Sequence, residues 1–128
     1  MPTKGSIESA AFDIYMPVSG VASRIPQLIG LGFAAAVPKG HVALLLPRSS
    51  TGAKYGLELN NSCGVIDADY RGEWRAALRT KDGSLMNWEV GERLLQFLIV
   101  PIAQVELQLS DSLEETERGS GGFGSSGQ

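Results

Sequence analysis

The stretch Gly64–Glu73, GVIDADYRGE, governs the interpretation of the whole chain. Its β-branched pair, Val65 and Ile66, predicts a buried strand. The pair runs directly into Asp67, and Asp69 would point to the same face if the strand continued through both residues. A carboxylate beside an apolar wall is unfavourable unless it is paired or used. It therefore either caps a turn, which is the commoner arrangement, or is an oriented base that takes a proton from water.

Length and composition restrict the classes of protein that this sequence can represent. The 128 residues predict one domain, and a net charge of −3 with a pI near 5.1 offers no basic excess for binding a nucleic acid. No apolar run is long enough for a membrane span, and MPTKGSIESA lacks the apolar core of a secretory signal. Cys63 and His41 are the only cysteine and histidine, which fits a reducing compartment. This pair excludes a His/Cys/Cys zinc site, and with it the zinc-dependent nucleoside deaminases.

Many short apolar or alternating segments between glycines and prolines predict an all-β sandwich or barrel. The interleaved Gly30 and Gly32 indicate a close approach on one face of their strand. Pro38–Gly40 predicts a turn. The strands expected in the first half of the chain are Ser23–Ile25, Ile29–Phe33 and His41–Leu46.

The second half of the chain continues the strand pattern. Apolar residues alternate through Gly72–Arg79, and after a turn at Lys81–Gly83 the segment Leu85–Val90 is predicted to return as the hairpin partner. Arg93–Ile102 is mostly apolar, which predicts a strand buried on both faces. Ala103–Leu109 alternates strictly and predicts a further, half-buried strand.

The composition changes after Ser110, which predicts a β domain over residues 1–110 and a flexible C-terminal arm over residues 111–128. The acidic run SDSLEETE, from Ser110, leads into the arm, which ends in the glycine-rich stretch RGSGGFGSSGQ from Arg118. A linker is the simplest interpretation. Alternatively, glycine backbone N–H groups, Arg118 and Phe123 could close over a phosphorylated ligand with a flat base.

Three further segments combine polar side chains with strand ends. Pro47–Leu57, PRSSTGAKYGL, offers a guanidinium and hydroxyl groups that suit phosphate, although an ordinary polar turn would have the same composition. Gly91–Gln96, GERLLQ, places Gln96 in an otherwise apolar strand, where buried glutamine usually satisfies backbone. Ala10–Tyr15, AAFDIY, has Asp13 among apolar neighbours, which could be no more than a paired residue at a strand edge.

Taken in order, these five segments resemble the five motifs of the trimeric deoxyuridine triphosphatases (dUTPases). The resemblance extends from Ser9 to Gly127, and the third and fifth motifs are the most specific. Two departures stand out: Ala10-Ala11 replaces the usual small-Gly pair, and Ser50-Thr51 stands where Gly-Leu is frequent.

The resemblance implies a jelly-roll subunit and a homotrimer whose active sites are shared between subunits. The third motif would supply the base pocket from one subunit, the second and fourth would hold phosphates from a neighbour, and the fifth would close the site from the third. The implied reaction is Mg²⁺-dependent hydrolysis of dUTP to dUMP and pyrophosphate in the cytoplasm, or in the host cytoplasm if the chain is viral. No nucleic-acid or membrane partner is implied.

The resemblance also implies a role for individual residues. Asp67 matches the catalytic base, Ser49 and Gln96 match groups near the bond that breaks, and Tyr70 matches the residue that packs under deoxyribose. Asp69 is expected to be structural, paired with Arg71 or Arg93. The implied substrate contacts are Arg48, Ser49, Ser50, Asn61, Cys63, Gly64, Val65, Ile66, Asp67, Tyr70, Arg75, Gln96, Arg118, Phe123, Gly124 and Ser125, and Asp13 is expected to approach Mg²⁺ through water.

Two alternatives remain open at this point. A dCTP deaminase, or a bifunctional deaminase–dUTPase, would share the fold, but it is less consistent with a terminal Arg- and Gly-rich motif. A jelly-roll trimer could instead be a regulatory binding protein that keeps the nucleotide site as a switch. A purely structural protein would have no need of Asp67, Gln96, Arg118 and Phe123 together.

Overall fold

The computed structural model describes residues 1–124, and for Lys54 only the backbone. This part of the chain contains ten β-strands and one short α-helix, so the prediction of an all-β protein is confirmed. The elements are β1 (Thr3–Lys4), β2 (Phe12–Tyr15), β3 (Gly20–Ala22), β4 (Gln27–Gly30), β5 (His41–Pro47), α1 (Ser49–Tyr55), β6 (Leu57–Leu59), β7 (Gly64–Ile66), β8 (Arg75–Thr80), β9 (Met86–Trp88) and β10 (Arg93–Pro101).

The largest sheet is antiparallel and has the strand order β1-β2-β10-β5-β7. Its long central pair, β10 with β5, runs in register from Leu95↔Pro47 to Pro101↔His41. Side chains alternate between the two faces, so Ala43 and Leu45 are buried in the core while Leu44 points to the opposite face. The predicted strand over His41–Leu46 is therefore confirmed.

Two smaller sheets cover this core. One has the order β4-β8-β6 and the other pairs β3 with β9. The predicted alternation before the Lys81–Gly83 turn is confirmed, since Trp74, Ala76 and Leu78 are all buried and Arg75 is exposed. The apolar core between the sheets comprises Ile14, Met16, Ala22, Leu31, Val37, Ala43, Leu45, Leu57, Leu59, Ile66, Trp74, Ala76, Leu78, Met86, Trp88, Leu94 and Leu95.

The predicted hairpin between Gly72–Arg79 and Leu85–Val90 is wrong. Both edges of β8 are already occupied: Leu78 faces Gln27 of β4 on one side and Leu59 of β6 on the other. The chain leaving β8 therefore finds no free edge there, and β9 pairs with β3 instead. The turn at Lys81–Gly83 itself does form, with Gly83 at a positive φ of 82°.

The strand predicted over Ser23–Ile25 is also wrong. β3 ends at Ala22 and β4 begins at Gln27, and between them the Ser23 hydroxyl accepts a hydrogen bond from the Ile25 N–H, 3.2 Å away. Local hydrogen bonds of this kind compete with a ladder. The next predicted strand, Ile29–Phe33, stops at Gly30 because Gly32 has a φ of +82°.

The strand predicted over Ala103–Leu109 does not form within residues 1–124. The last pair of β10 is Pro101 with His41, after which Val105, Leu107 and Leu109 are almost fully exposed. Alternation specifies which face a strand would bury, but it supplies no partner strand in the same chain. These apolar side chains are therefore unpartnered in the single subunit.

Candidate active site

An open cleft of about 440 Å³ brings together parts of the first, second and fourth sequence segments. The N-terminal segment before β2 forms one wall, and the end of β5 with the start of α1 forms another. The antiparallel register places Gln96 of β10 directly opposite Asp13 of β2, which explains how two segments far apart in sequence meet. The lining residues are Gly5, Ser9, Ala10, Ala11, Asp13, Arg48, Ser49, Gln96 and Leu98.

Asp13 lies between two guanidinium groups. Its Oδ1 is 3.2 Å from Nε of Arg48, and its Oδ2 accepts a hydrogen bond from Nη1 of Arg93 at 3.2 Å. The carboxylate is mostly buried, at 13 % side-chain exposure, while the arginines are more open. Arg93 was not among the predicted substrate contacts, and the sequence suggested only that Asp69 could be its partner. That pairing is wrong for Arg93, which binds Asp13.

The short helix α1 was not predicted from the sequence. It carries Ser49 and Ser50, two of the residues expected to contact phosphate. α1 begins at Ser49 and ends before Gly56, whose φ of 63° is the left-handed conformation common after a helix. The buried Thr51 hydroxyl donates to the Leu94 carbonyl at 2.8 Å and thereby attaches α1 to β10. Gly56 following AKY was the available signal for this helix. The exposed Ser49 lines the cleft, whereas Ser50 does not.

Gln96 is half-buried at the floor of the cleft. Its side-chain Nε2 donates a hydrogen bond to the backbone carbonyl of Pro47 at 3.1 Å. This is the kind of partner expected for a polar side chain inside a strand. Gln96 also lines the cleft together with Arg48 and Ser49. A structural role and a role in binding are therefore compatible at this position.

The third segment forms a tight loop between β7 and β8. The backbone N–H of Tyr70 donates to the Asp67 carbonyl at 3.2 Å, and the Tyr70 hydroxyl donates to the Glu73 carbonyl at 2.8 Å. The Glu73 carboxylate accepts the N–H of Gly32 at 3.0 Å, which anchors the loop on the segment after β4. A Cβ on Gly30 would lie 2.6 Å from the same carboxylate, so the close approach predicted for these glycines is confirmed.

This loop and the end of β7 enclose a second, smaller cavity of about 180 Å³. It is lined by Val65, Ile66, Asp67, Tyr70, Trp74 and Arg75. Asp67 and Arg75 are both exposed, so the dry setting expected for a base is not provided by one subunit. The Trp74 indole N–H is buried and has no hydrogen-bond partner among residues 1–124. Arg71 donates to the carbonyls of Ala68 and Tyr70, so its predicted pairing with Asp69 is not observed.

Asn61 and Cys63 occupy the turn between β6 and β7 and line neither cavity. The Asn61 amide donates to the Cys63 carbonyl at 3.1 Å, and the Cys63 N–H donates back to the Asn61 carbonyl at 2.7 Å. β6 and β7 belong to different sheets, so this turn carries the chain from one sheet to the other. Gly64 is buried against Leu45, where a Cβ would come within 2.9 Å.

Residues 118–124 of the C-terminal segment do not line either cavity of the single chain. Arg118 donates from Nε to the Gly121 carbonyl at 2.6 Å, and Phe123 is fully exposed. Gly124 is exposed as well, and Ser125 lies outside the described residues. No residue of this segment up to Gly124 lines either cavity, and the two cavities share no lining residue among the described positions. One chain therefore does not assemble all the predicted contacts.

No preformed metal site is evident in residues 1–124, where no three His, Cys, Asp or Glu side chains group together. Both oxygens of Asp13 already face arginines, which opposes direct coordination of a cation. The residues present therefore do not fit a Mg²⁺ site built by this chain by itself. None of the helices within this part of the chain combines the length and apolar character needed to cross a membrane.

Comparison with known proteins gives a consistent result. The sequence model of the dUTPase family matches residues 1–127. Deoxyuridine 5'-triphosphate nucleotidohydrolase from Maricaulis maris is 38 % identical over 132 residues, covering 99 % of this chain and 87 % of the relative. The enzyme of the same name from Azotobacter vinelandii is 45 % identical over 108 residues, covering 84 % and 70 %.

Solved structures show the same relationship. The dUTPase of Staphylococcus bacteriophage 80alpha, solved with dUPNHPP, has a TM-score of 0.88 at 29 % identity, covering 100 % of this chain and 92 % of that one. That phage protein is described as controlling the transfer of virulence genes by a G protein-like mechanism. A G164S variant of it with dUpNHpp gives a TM-score of 0.87.

Proposed function

The chain belongs to the dUTPase family, and from that premise we propose that Asp67 activates the water that attacks the α-phosphorus of dUTP, yielding dUMP and pyrophosphate. The enzyme is a dUTP diphosphatase. The observation that best supports the proposal is the grouping of residues: Asp67, Tyr70 and Arg75 share one cavity, and Arg48, Ser49 and Gln96 share the other. The first set suits a nucleoside with its attacking water, and the second suits a phosphate chain.

Asp67 is the group that takes the proton from the attacking water. It follows directly on β7, so its backbone is held by the ladder between β7 and β5. The carboxylate is exposed in the single chain, and we propose that neighbouring subunits and the C-terminal arm exclude water when substrate is bound. Enclosure of this kind strengthens the electrostatic interactions at the reacting atoms.

The larger cleft binds the phosphates. Arg48 offers a guanidinium, Ser49 offers a hydroxyl at the start of α1, and Gln96 offers its amide from β10. Ser50 does not line the cleft in the single chain, and we propose that its hydroxyl reaches the phosphates from the next position on α1. Ser49 is placed to stabilise the charge that develops on the leaving oxygen. We assign Gln96 to the α-phosphate and the attacking water.

The smaller cavity binds the nucleoside. The Tyr70 ring packs under the deoxyribose and leaves no space for a 2′-hydroxyl, which rejects ribonucleotides. Backbone groups of Asn61, Cys63 and Gly64, which do not line this cavity in the single chain but lead directly into its wall at Val65, read the uracil edge and exclude a 5-methyl group. Val65 and Ile66 form the apolar wall of this cavity, and Arg75 contributes a polar contact.

The C-terminal arm closes the completed site. Arg118 pairs with the γ-phosphate, Phe123 stacks on uracil, and Gly124 with Ser125 adds hydrogen-bond donors. The exposure of Phe123 in the single chain supports this assignment, because an aromatic ring without apolar neighbours is available for stacking. Residues 111–128 are thus a functional arm attached to a β domain over residues 1–110.

Three copies of the chain assemble around one axis and share each active site. Two features support the assembly. The two cavities and the arm are separate within one subunit, and the outer face of the largest sheet carries apolar side chains, among them Leu44 and Leu98, which face each other across β5 and β10. An apolar face of this kind on a soluble domain marks an interaction surface.

The phosphates of the substrate, and not side chains of this chain, would hold Mg²⁺. Magnesium commonly binds substrate phosphates and keeps several of its waters, which fits the absence of a three-residue acidic group in the described residues. When bound, it would neutralise phosphate charge. The chain's own contribution is to orient the phosphates with Arg48, Ser49 and Gln96.

In the cell the reaction keeps uracil out of DNA and supplies dUMP for dTTP synthesis. We place it in the cytoplasm, or in the host cytoplasm for a viral chain, with free nucleotides as substrates and no nucleic-acid or membrane partner. The acidic pI of about 5.1 supports the absence of a nucleic-acid partner.

Pyrophosphate release from dUTP, dCTP, dTTP and UTP, with Mg²⁺ and with a chelator, tests the proposed reaction. Release from dUTP with little from the others is expected, and loss of release in chelator would support the role of Mg²⁺. Ammonia release from dCTP would instead favour the deaminase alternative. Binding of dUTP without any product would favour a regulatory protein with a nucleotide switch.

Shared sites are tested by mixing two inactive variants. Asp67→Asn lacks the base, and a chain ending at residue 117 lacks the end of the arm. If one subunit supplies the base and another supplies the arm, subunit exchange at equal amounts restores about a quarter of the sites. If each site lies within one chain, mixing restores no activity.

A further inference from the structure

We propose that Arg93 is a positioning residue that acts through Asp13 to hold Arg48 in the orientation that binds the phosphates. The inference rests on the proposed function and adds two assignments to it. Arg93 is assigned a positioning role although it does not line the cleft. Asp13 is assigned to hold Arg48 in place, and not to approach Mg²⁺.

The three side chains form a closed ring of contacts. Arg48 Nε lies 3.2 Å from Asp13 Oδ1, and Arg93 Nη1 donates to Asp13 Oδ2 at 3.2 Å. Arg48 Nη1 closes the ring by donating to the backbone carbonyl of Arg93 at 3.0 Å. Arg48 is therefore held at two nitrogen atoms, by a side chain on one strand and by the backbone of another.

This arrangement leaves part of Arg48 available for a ligand. A guanidinium has five N–H donors in a fixed plane, and the ring uses two of them. Because the plane is fixed, holding one edge determines where the remaining donors point. Arg48 lines the cleft, so those donors are presented to it without a search through rotamers when a phosphate arrives.

The charges around Asp13 favour bracing over metal binding. Two guanidinium groups and one carboxylate leave a net positive charge, which suits an anionic phosphate chain and repels a cation. Both carboxylate oxygens face an arginine, and the side chain has only 13 % exposure. A magnesium ion or its water would have to compete with these contacts.

Arg93 is itself held in place. It lies at the start of β10 in register with Tyr15, and its guanidinium carbon is 5.9 Å from the centre of that ring. The Tyr15 hydroxyl lies within hydrogen-bond distance of the Thr3 hydroxyl, at 2.8 Å, which connects Tyr15 to β1. Arg93 thus has a fixed support on one side and Asp13 on the other.

The first experiment compares Arg93→Gln, Arg93→Lys and the unmodified enzyme. We expect Arg93→Gln to raise KM for dUTP about tenfold, the effect of losing one hydrogen bond between charged groups. Inhibition by deoxyuridine, which has no phosphate to meet Arg48, is expected to stay unchanged. Arg93→Lys retains a cation that can reach Asp13 and is expected to lie between the two.

Arg79→Gln is the matched control. Arg79 also lies on a strand and pairs by charge with a carboxylate, Glu58, at 3.0 Å, but it lines neither cavity. Its replacement is expected to leave both KM for dUTP and inhibition by deoxyuridine unchanged. A thermal unfolding curve for each variant shows whether any loss is due to unfolding.

A double-mutant cycle tests whether Arg93 acts through Asp13. If it does, the variant with both Asp13→Asn and Arg93→Gln binds dUTP no worse than Asp13→Asn by itself, because the effects of residues acting in series do not add. The Mg²⁺ concentration that gives half-maximal rate is expected to stay the same in Arg93→Gln and in Asp13→Asn.

Two results would overturn the inference. One is a normal KM for dUTP in Arg93→Gln; the other is a several-fold change in half-activating Mg²⁺ in Asp13→Asn. The proposed function is judged separately, from turnover by the unmodified chain. If that chain bound dUTP without turnover, affinity for dUpNHpp would replace KM in every comparison and the positioning role would still be decided.

Discussion

At the scale of single residues, Asp67 is exposed at the end of β7 and has the simplest test. Asp67→Asn keeps the shape of the side chain but cannot accept the proton from water. We expect turnover of dUTP to fall by about 10²–10⁴-fold, the usual contribution of a general base, while affinity for dUpNHpp is retained. Asp69→Asn, in the same exposed loop, is the control and should keep turnover. Equal losses in both variants would contradict the assignment.

Tyr70 tests the discrimination against ribonucleotides. Its hydroxyl donates to the Glu73 carbonyl, so the ring is held within the loop between β7 and β8. Tyr70→Ala removes the ring, and we expect the preference for dUTP over UTP, measured as the ratio of kcat/KM values, to fall about tenfold or more. Tyr70→Phe keeps the ring and should preserve the preference. Continued exclusion of UTP by Tyr70→Ala would show that another group provides the steric limit.

At the scale of elements, the contact between β3 and β9 depends on a glycine. A Cβ on Gly20 would lie 2.3 Å from the buried ring of Trp88, whose indole N–H is fixed by the Val18 carbonyl. We expect Gly20→Ala to lower the free energy of unfolding by about 1–3 kcal/mol, as overpacking does. Gly52→Ala in α1 meets no atom within 4 Å and should not destabilise the protein. Denaturant unfolding of both variants measures the difference.

The C-terminal arm is an element whose removal should affect rate and not fold. Residues 118–128 lie beyond β10, and no strand includes any part of residues 118–124. Deleting them should lower kcat/KM for dUTP strongly. The deletion removes hydrogen-bond donors to the substrate, and it also removes the segment that closes over the site. The number of chains per assembly in solution and the unfolding midpoint should not change. An unchanged rate would contradict the role of the arm as a lid.

At the scale of the whole molecule, the outer face of the largest sheet should control assembly. Leu44 and Leu98 face each other on neighbouring strands, so a carboxylate at each position places two like charges on the predicted interface. We expect light scattering to give the mass of a trimer for the unmodified chain and a smaller mass for the Leu44→Asp, Leu98→Asp double variant. Leu28→Asp, on an exposed position of β4, is the control and should remain a trimer. A double variant that stays trimeric would place the interface elsewhere.

Prediction from sequence succeeded where one strand's own pattern carried the information. Alternation identified the buried face of β8, and glycine and proline identified the turns at residues 38–40 and 81–83. Prediction failed where the outcome depends on which other strands compete for the same sheet edge. The pairing of β9 depends on which edges of β8 are free, and the fate of Ala103–Leu109 depends on a partner strand that residues 1–124 do not supply.

For the site, the sequence is sufficient to identify which chemical groups are present and in which order, because each motif is a short run whose backbone conformation is mostly local. How these groups combine depends on the folding of the whole chain. It placed Arg93 against Asp13 across 80 positions of sequence and separated the cavity of Asp67 from the cleft of Arg48. The physical reason is that side-chain partners across a sheet are set by strand register and by competition for edges, both of which depend on the whole chain.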